Sequence, residues 1–373
     1  MSIGKAIENF ANSIRSSIGA WRCRTKWRTV EPKKIVFDQF HGGGFGCNQK
    51  YIALELLRRR SDLDLVWLAR DTKSAGLPDG IRVVPWRGWD AVRELATAKV
   101  WCSNHNLGNF ISHRGLVKKS GQLYFQTWHG SFGIKRCTDT LAPKETAMLD
   151  GFFANCDWEA SLARGWFGEG PAVHVIGHPR NDVVVRSRAR AFPSAEMTLL
   201  YAPTFRDDGD MEPYLTDFTG VVEALERRWG GKWKVQARLH PNMKKKGRRL
   251  KFRGDVDDVT DHPDIQELLA QADVVISDYS SCIFDFALSR RPAFLYVPDR
   301  EKYETERGFY YPLSETPFPV VEGPDELAAA IKYFDGDEYA EAVEGFLSEK
   351  GNADDGNASS RAADVILGAM CRD

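Results

Sequence analysis

His129 is the residue that the sequence best places to move a proton. It lies in the run Gln126, Thr127, Trp128, His129 and Gly130, directly after an apolar stretch, 123–127, that reads as a buried strand. The carboxyl ends of such strands are where α/β sheets hold their ligands. Imidazole titrates near neutral pH, so it suits a base that takes the proton of a hydroxyl group. Gly130 permits close approach of backbone or ligand. A loop histidine bound to a backbone carbonyl would look the same in sequence. Lys135 and Arg136 follow within a turn or two, which suits an anionic substrate but equally a solvated face.

Four further clusters follow, three of them at predicted strand ends. Asp278, Tyr279, Ser280 and Ser281 lie between a strand at 274–277 and a helix running toward Ser289. Asp and Ser at that place cap a helix. The same geometry turns free backbone N–H groups and the positive end of the helix dipole toward a phosphate. Arg238 and His240 alternate at the end of a strand over 233–239, so both fall on one side and can meet a phosphate. Tyr201, Ala202, Pro203, Thr204, Phe205, Arg206, Asp207 and Asp208 read as a strand followed by a polar loop with an arginine. Gly177, His178, Pro179, Arg180, Asn181 and Asp182 form the last cluster, beside the expected domain boundary. Each could be ordinary loop chemistry. Their shared position lets one cleft gather them.

The elements that must position these groups alternate between strand and helix. Strands are expected over 34–38, 63–68, 81–84, 99–103 and 123–127, with helices over 48–60 and 89–96. The pattern restarts near Met197, with strands over 198–202, 233–239, 274–277 and 293–297 and helices over 219–229 and 265–270. Such alternation predicts an α/β chain with mainly parallel sheets, here two Rossmann-like lobes and a cleft between them. The expected division is a basic amphipathic segment at 1–30, an N-terminal acceptor lobe at 31–185, a C-terminal donor lobe at 186–345 and a C-terminal helix within 346–373. A linker is expected near 186–194, and the final helices over 325–334 and 359–370 flank a polar loop at 351–356.

Composition excludes several classes. The 373 residues carry 51 Lys and Arg against 52 Asp and Glu, so no global field argues for nucleic acid. Seven scattered cysteines form no Cys-x-x-Cys pair, which speaks against zinc and for reduced thiols in the cytoplasm. No apolar run is long enough to cross a bilayer. No Gly-x-x-x-x-Gly-Lys-Ser/Thr loop is present, and the glycines at 42, 43, 44 and 46 do not match Gly-x-Gly-x-x-Gly. No Asp-x-Asp stands at a strand end of the first lobe; Asp208 and Asp210 lie in a loop of the second. Near the N-terminus Ile3, Ile7, Phe10, Ile14, Ile18 and Trp21 recur at helical spacing. Lys5, Arg15, Arg22, Arg24, Lys26 and Arg28 accompany them, opposed by Glu8 alone. Such a helix can lie in the headgroup region of an anionic membrane, or it can dock on its own protein or fray.

Taken in order, the motifs resemble those of the CDP-glycerol glycerophosphotransferase family of teichoic acid and capsule synthesis. Gln126, Thr127, Trp128, His129 and Gly130 resemble its Q-T-W-H-G, and Gly177 through Asp182 its G-x-P-R-N-D. Tyr201 through Asp208 is similar to Y-A-P-T-W-R-D, and Arg238 through Pro241 to R-x-H-P. Asp278 through Phe286 resembles D-Y-S-S-x-x-F-D-Y, and Arg307, Gly308, Phe309 and Tyr310 resemble R-G-F-Y. Phe40 through Gln49 is a weaker likeness. There are departures: Gln49 stands where the family has proline, and Ser131, Phe132, Gly133, Ile134 and Lys135 where it has Thr-Pro-Leu-Lys. Both fall on the acceptor side.

The resemblance implies the type B glycosyltransferase fold, no bound metal or other cofactor, and a cytoplasmic protein held peripherally on the inner face of the membrane. It implies that a hydroxyl of a lipid-linked saccharide or growing polymer attacks the β-phosphate of CDP-glycerol, and that CMP leaves. His129 is then the base. Arg238, His240, Ser280 and Ser281 hold the donor diphosphate. Thr204, Arg206 and Asp278 line the donor site, Asp285 reaches the ribose or glycerol, and Asn48, Lys135 and Arg136 serve the acceptor or its phosphates. Alternative readings are a CDP-ribitol enzyme, a nucleotide-sugar glycosyltransferase on the same fold, and an inactive module that docks the polymer. The presence of both His129 and His240 argues against the last.

Overall fold

The computed structural model describes residues 3–73, 76–131, 133–136, 141–206, 208–240, 243 and 250–372, the side chains from residue 10 onward. Phe132, Asp207 and Pro241 of the sequence motifs lie outside the described residues, as do the side chains of Ile3, Lys5, Ile7 and Glu8. Two compact units form: Met1–His129, Asp139–Arg180 and Ala353–Asp373 make the first, Gly130–Thr138 and Asn181–Asn352 the second.

The first unit is built on one sheet of seven strands: β1 (Glu31–Asp38), β2 (Asp64–Ala69), β3 (Ile81–Pro85), β4 (Ala98–Ser103), β5 (Leu123–Gln126), β6 (Gly151–Ala154) and β7 (Ala172–Val175). They run in the order β3-β2-β1-β4-β5-β6-β7, with every neighbouring pair parallel. Parallel strands are covered on both faces, and the two-residue period sorts their side chains accordingly. Ile35, Phe37, Leu65, Trp67, Val100 and Cys102 pack on one face, with Ile52 and Leu56 of helix Cys47–Arg59 and Ala362 and Ile366 of helix Ala358–Met370. Val36, Val66, Leu68 and Trp101 pack on the other, with Val92 and Leu95 of helix Trp89–Thr97 and Phe110 of helix Gly108–Arg114. β6 and β7, four residues each, were not among the expected strands.

The chain's last segment closes this unit. Gly177 has φ +81°, and a Cβ there would lie 3.0 Å from Ala353 O, from Ala358 Cβ and from Asp354 Oδ1. Asp354 accepts from the backbone N–H of His178 at 2.7 Å and from Asn155 Nδ2 at 3.2 Å. The motif beginning at Gly177 therefore clasps the returning chain.

The N-terminal helix spans Ile3–Thr25. One face docks on helix Gly108–Arg114 so closely that a Cβ on Gly19 would sit 1.6 Å from Arg114 O. Cys23 is buried on that side. The other face leaves Phe10, Ile14, Ile18 and Trp21 in solvent, Phe10 being 69% and Trp21 54% exposed. Docking and an exposed apolar stripe thus coexist on one helix. No helix among the described residues is long and apolar enough to cross a membrane.

The second unit holds a six-stranded sheet: β8 (Glu196–Ala202), β9 (Lys232–Ala237), β10 (Val256–Asp258), β11 (Val274–Ser277), β12 (Ala293–Tyr296) and β13 (Val320–Val321). Its order is β10-β9-β8-β11-β12-β13, again all parallel. Helix Thr219–Trp229 and strand β11 match expectation at both ends. The helix after Ser277 is shorter than expected, Cys282–Ala287.

Candidate active site

In the first unit the site grows from the ends of β1, β4 and β5. His129 follows β5 by three residues, and its Nδ1 lies 2.8 Å from the backbone carbonyl of Asn104, just past β4. A carbonyl only accepts, so Nδ1 carries the proton and Nε2 is left as the basic nitrogen. Asn48 was expected to serve the acceptor. It is fully buried and donates from Nδ2 to the carbonyls of Thr127 at 3.2 Å and Trp128 at 3.3 Å, while Gln49 Nε2 donates to Thr127 Oγ1 at 2.9 Å. Both residues hold the loop that carries His129.

Rings crowd this mouth. His105 lies parallel to His129, centroids 5.7 Å apart, and His41 stands 4.1 Å from His105. Phe40 meets His129 edge-on at 5.1 Å, and Trp128 flanks it at 4.9 Å. Three of these residues adopt left-handed backbone: Phe40 at φ 45°, His41 at 56° and Trp128 at 50°. For non-glycine residues that costs roughly 1–2 kcal/mol each, and such strain collects at functional sites. Burial and the neighbouring His105 and Arg70 push the His41 imidazole down to about 4.

Beneath the rings, burial pushes the Asp38 carboxyl up to about 7, although Asp38 Oδ1 accepts from the Gly42 N–H at 2.8 Å. A carboxyl with a raised folded-state pKa stabilises the fold below its unfolded value, and that contribution is lost as pH climbs through the folded value. Stability to urea is therefore expected to fall between about pH 4 and 7, and Asp38→Asn to flatten that part of the profile. An unchanged slope in the variant would show that Asp38 is not the group responsible.

In the second unit the ends of β8, β11 and β12 are latched by Arg206. Its guanidinium donates from Nη1 to Asp278 Oδ2 at 2.9 Å and to the Thr204 carbonyl at 2.8 Å. From Nε and Nη2 it makes a bidentate pair with Asp299 at 2.6 and 2.9 Å. Asp278 Oδ1 accepts from the Thr204 N–H at 2.8 Å. The rings of Tyr279 and Tyr303 stack 3.8 Å apart, and each lies 5.1 Å from the guanidinium. Burial opposes the charge, but Asp278 and Asp299 more than offset it and hold Arg206 cationic. Arg206 and Asp278, expected to line the donor site, are thus engaged with each other, which fixes the loop around Thr204. The buried Thr204 hydroxyl has no partner among the described residues.

The remaining donor-side residues surround this latch on their own strand ends. Arg238 follows β9 and donates from Nη1 to the His262 carbonyl at 2.6 Å. Nη1 also reaches the Val259 carbonyl at 3.5 Å, and burial lowers the pKa of the guanidinium. His240 is exposed, its ring 5.9 Å from Phe205. Ser280 Oγ accepts from the Cys282 N–H at 3.4 Å, while the Ser281 side chain makes no cap bond. Asp285, expected to reach a ribose or glycerol, is buried and accepts from Gln266 Nε2 at 3.2 Å. Lys135 and Arg136 belong to this unit. Residue 135 pairs antiparallel with Phe309, the Arg136 N–H donates to Gly308 O at 3.0 Å, and its Nε donates to Phe309 O at 3.0 Å. The strap they belong to begins at Gly130, whose added Cβ would lie 3.7 Å from Ser281 Oγ. Cations and a helix start are the features that diphosphate sites use.

Sequence reasoning missed Asp299, Tyr303, Asn104 and His105. Asp299 and Asn104 just follow β12 and β4, so the strand-end rule that found His129 would have found them too. Nothing local marks the tyrosine stack.

Two all-parallel sheets, each threading its first six strands in the same order, define a fold of the type B glycosyltransferase class. A solved wall teichoic acid polymerase, TagF, superposes with a TM-score of 0.79 at 26% identity, covering 98% of this chain and 97% of that one. The model of the CDP-Glycerol:Poly(glycerophosphate) glycerophosphotransferase family matches residues 22–368, and the chain belongs to that family. It is similar to a teichoic acid poly(glycerol phosphate) polymerase of Staphylococcus epidermidis, 27% identical over 90% of this chain, but spans only 51% of that protein's length. It is also similar to a teichoic acid glycerol-phosphate transferase of Staphylococcus aureus, 28% identical over 89% of this chain and 92% of the relative.

Proposed function

We propose that this chain moves glycerol phosphate from CDP-glycerol to a hydroxyl group of a lipid-linked saccharide or growing teichoic acid or capsule polymer, releasing CMP. The observation that carries the reading is the hydrogen bond from His129 Nδ1 to Asn104 O, which commits Nε2 to accept a proton. The acceptor hydroxyl gives its proton to Nε2 as its oxygen bonds the β-phosphorus. The bond from that phosphorus to the bridging oxygen breaks, and CMP departs with the electron pair. Arg238, His240 and the backbone N–H groups beside Ser280 and Ser281 neutralise charge on the diphosphate, and the reading calls for no resident metal. Positioning and electrostatic stabilisation carry most of such a transfer. Nucleotide release from CDP-glycerol, CDP-ribitol and a UDP-sugar, each with and without acceptor, tests it. Acceptor-dependent release from CDP-glycerol is expected; release from the UDP-sugar alone would replace this reading with sugar transfer.

The exposed stripe of Phe10, Ile14, Ile18 and Trp21, flanked by exposed Arg15, Arg24 and Lys26, supports attachment to an anionic membrane surface on the cytoplasmic side. Replacing Phe10 and Trp21 by serine is expected to reduce co-sedimentation with anionic liposomes by about tenfold or more. Equal sedimentation of variant and parent would refute this attachment.

A further inference from the structure

We propose that Phe40 is a stacking platform for a sugar ring, so that the acceptor hydroxyl is borne by a saccharide rather than by an alditol-phosphate chain. The inference rests on the function proposed above and names the acceptor class of that site. Phe40 is 38% exposed; among the described residues outside the N-terminal helix, Tyr333 is the other large apolar side chain that is exposed. It is not a loosely held surface residue. Its backbone is left-handed, its N–H donates to Asn104 Oδ1 at 2.9 Å, and its carbonyl accepts from Arg70 Nη2 at 3.4 Å. Asn104 is therefore shared: its side-chain oxygen fixes Phe40, and its backbone carbonyl fixes the His129 ring. One buried residue registers the platform to the base, and the two rings touch edge to face at 5.1 Å.

A pyranose ring offers an apolar C–H face to an aromatic ring while its rim hydroxyls point outward. Laid on Phe40, such a ring brings a rim hydroxyl beside the His129 imidazole. A poly(glycerol phosphate) end has no ring face and brings a charge at every repeat. The rings that meet Phe40 are those of His105 at 6.4 Å and His129 at 5.1 Å.

The test compares a disaccharide methyl glycoside with a tri(glycerol phosphate) chain as acceptors, using the full-length protein and CDP-glycerol. For Phe40→Ala the ratio of kcat/KM values, disaccharide over trimer, is expected to fall about tenfold, and Phe40→Trp is expected to retain it. A ratio within twofold of the parent's in Phe40→Ala would overturn the platform. Saturation-transfer NMR of the disaccharide tests binding without turnover. Transfer to one ring face in the parent, lost in Phe40→Ala and kept in Phe40→Trp, supports the platform; equal transfer in parent and Phe40→Ala overturns it. Absence of nucleotide release with either acceptor would count against the proposed reaction, while the NMR result would still decide the platform.

Discussion

His129→Asn is expected to lower acceptor-dependent nucleotide release by about 10²–10⁴-fold, the usual worth of a positioned general base. Asparagine keeps a polar group of related size but has no nitrogen basic enough to take a hydroxyl proton. The loss should fall on kcat. Donor affinity should persist, because Arg238, His240, Ser280 and Ser281 belong to the second unit. The fold should persist too, since Asn48 and Gln49 hold the loop through Thr127 and Trp128 rather than through the imidazole. Circular dichroism and calorimetric titration with CDP-glycerol check both points. A variant that binds donor and turns over at near the parental rate would remove His129 from the chemistry.

Arg206→Met is expected to destabilise the second unit by about 3–5 kcal/mol, the cost of leaving buried charges without their partner. The substitution strands two carboxylates at once. The side chain of Asp278 is 4% exposed and that of Asp299 10%, and both now face the guanidinium. It also removes the cation from between Tyr214 and the stacked Tyr279 and Tyr303. Urea unfolding followed by tryptophan fluorescence should show the loss, and adding Asp278→Asn and Asp299→Asn should recover part of it, because the orphaned charges go with them. A single-variant shift below about 1 kcal/mol would mean that the latch is ordinary surface pairing.

Most of the architecture was legible because it rests on period. Apolar runs of four to six residues separated by amphipathic helices announced β1, β2, β4, β8 and β11, and parallel pairing followed from the alternation. What escaped were elements too short for a period, such as β10 and β13, and relations between distant residues. Position relative to strand ends located His129, Arg238 and Ser280 from sequence. It could not show that Arg206 and Asp278 face one another, because that depends on Asp299, 93 residues further along the chain. It likewise could not show that Asn48 turns inward, since a helix N-terminus reads alike whether its side chain faces solvent or a neighbouring loop. The ring cluster was hidden for a related reason: Phe40, His105 and His129 are far apart in the chain and meet because β1, β4 and β5 are neighbours in the sheet.

In the proposed reaction the acceptor oxygen attacks phosphorus, not carbon, and the nucleotide product reports this directly. Phosphorus-31 NMR of a single reaction with CDP-glycerol and acceptor should show CMP rising in step with a new phosphodiester resonance, both absent without acceptor. CDP appearing in place of CMP, with no new phosphodiester, would mean that the bond broken is the one to glycerol carbon, and would contradict the account.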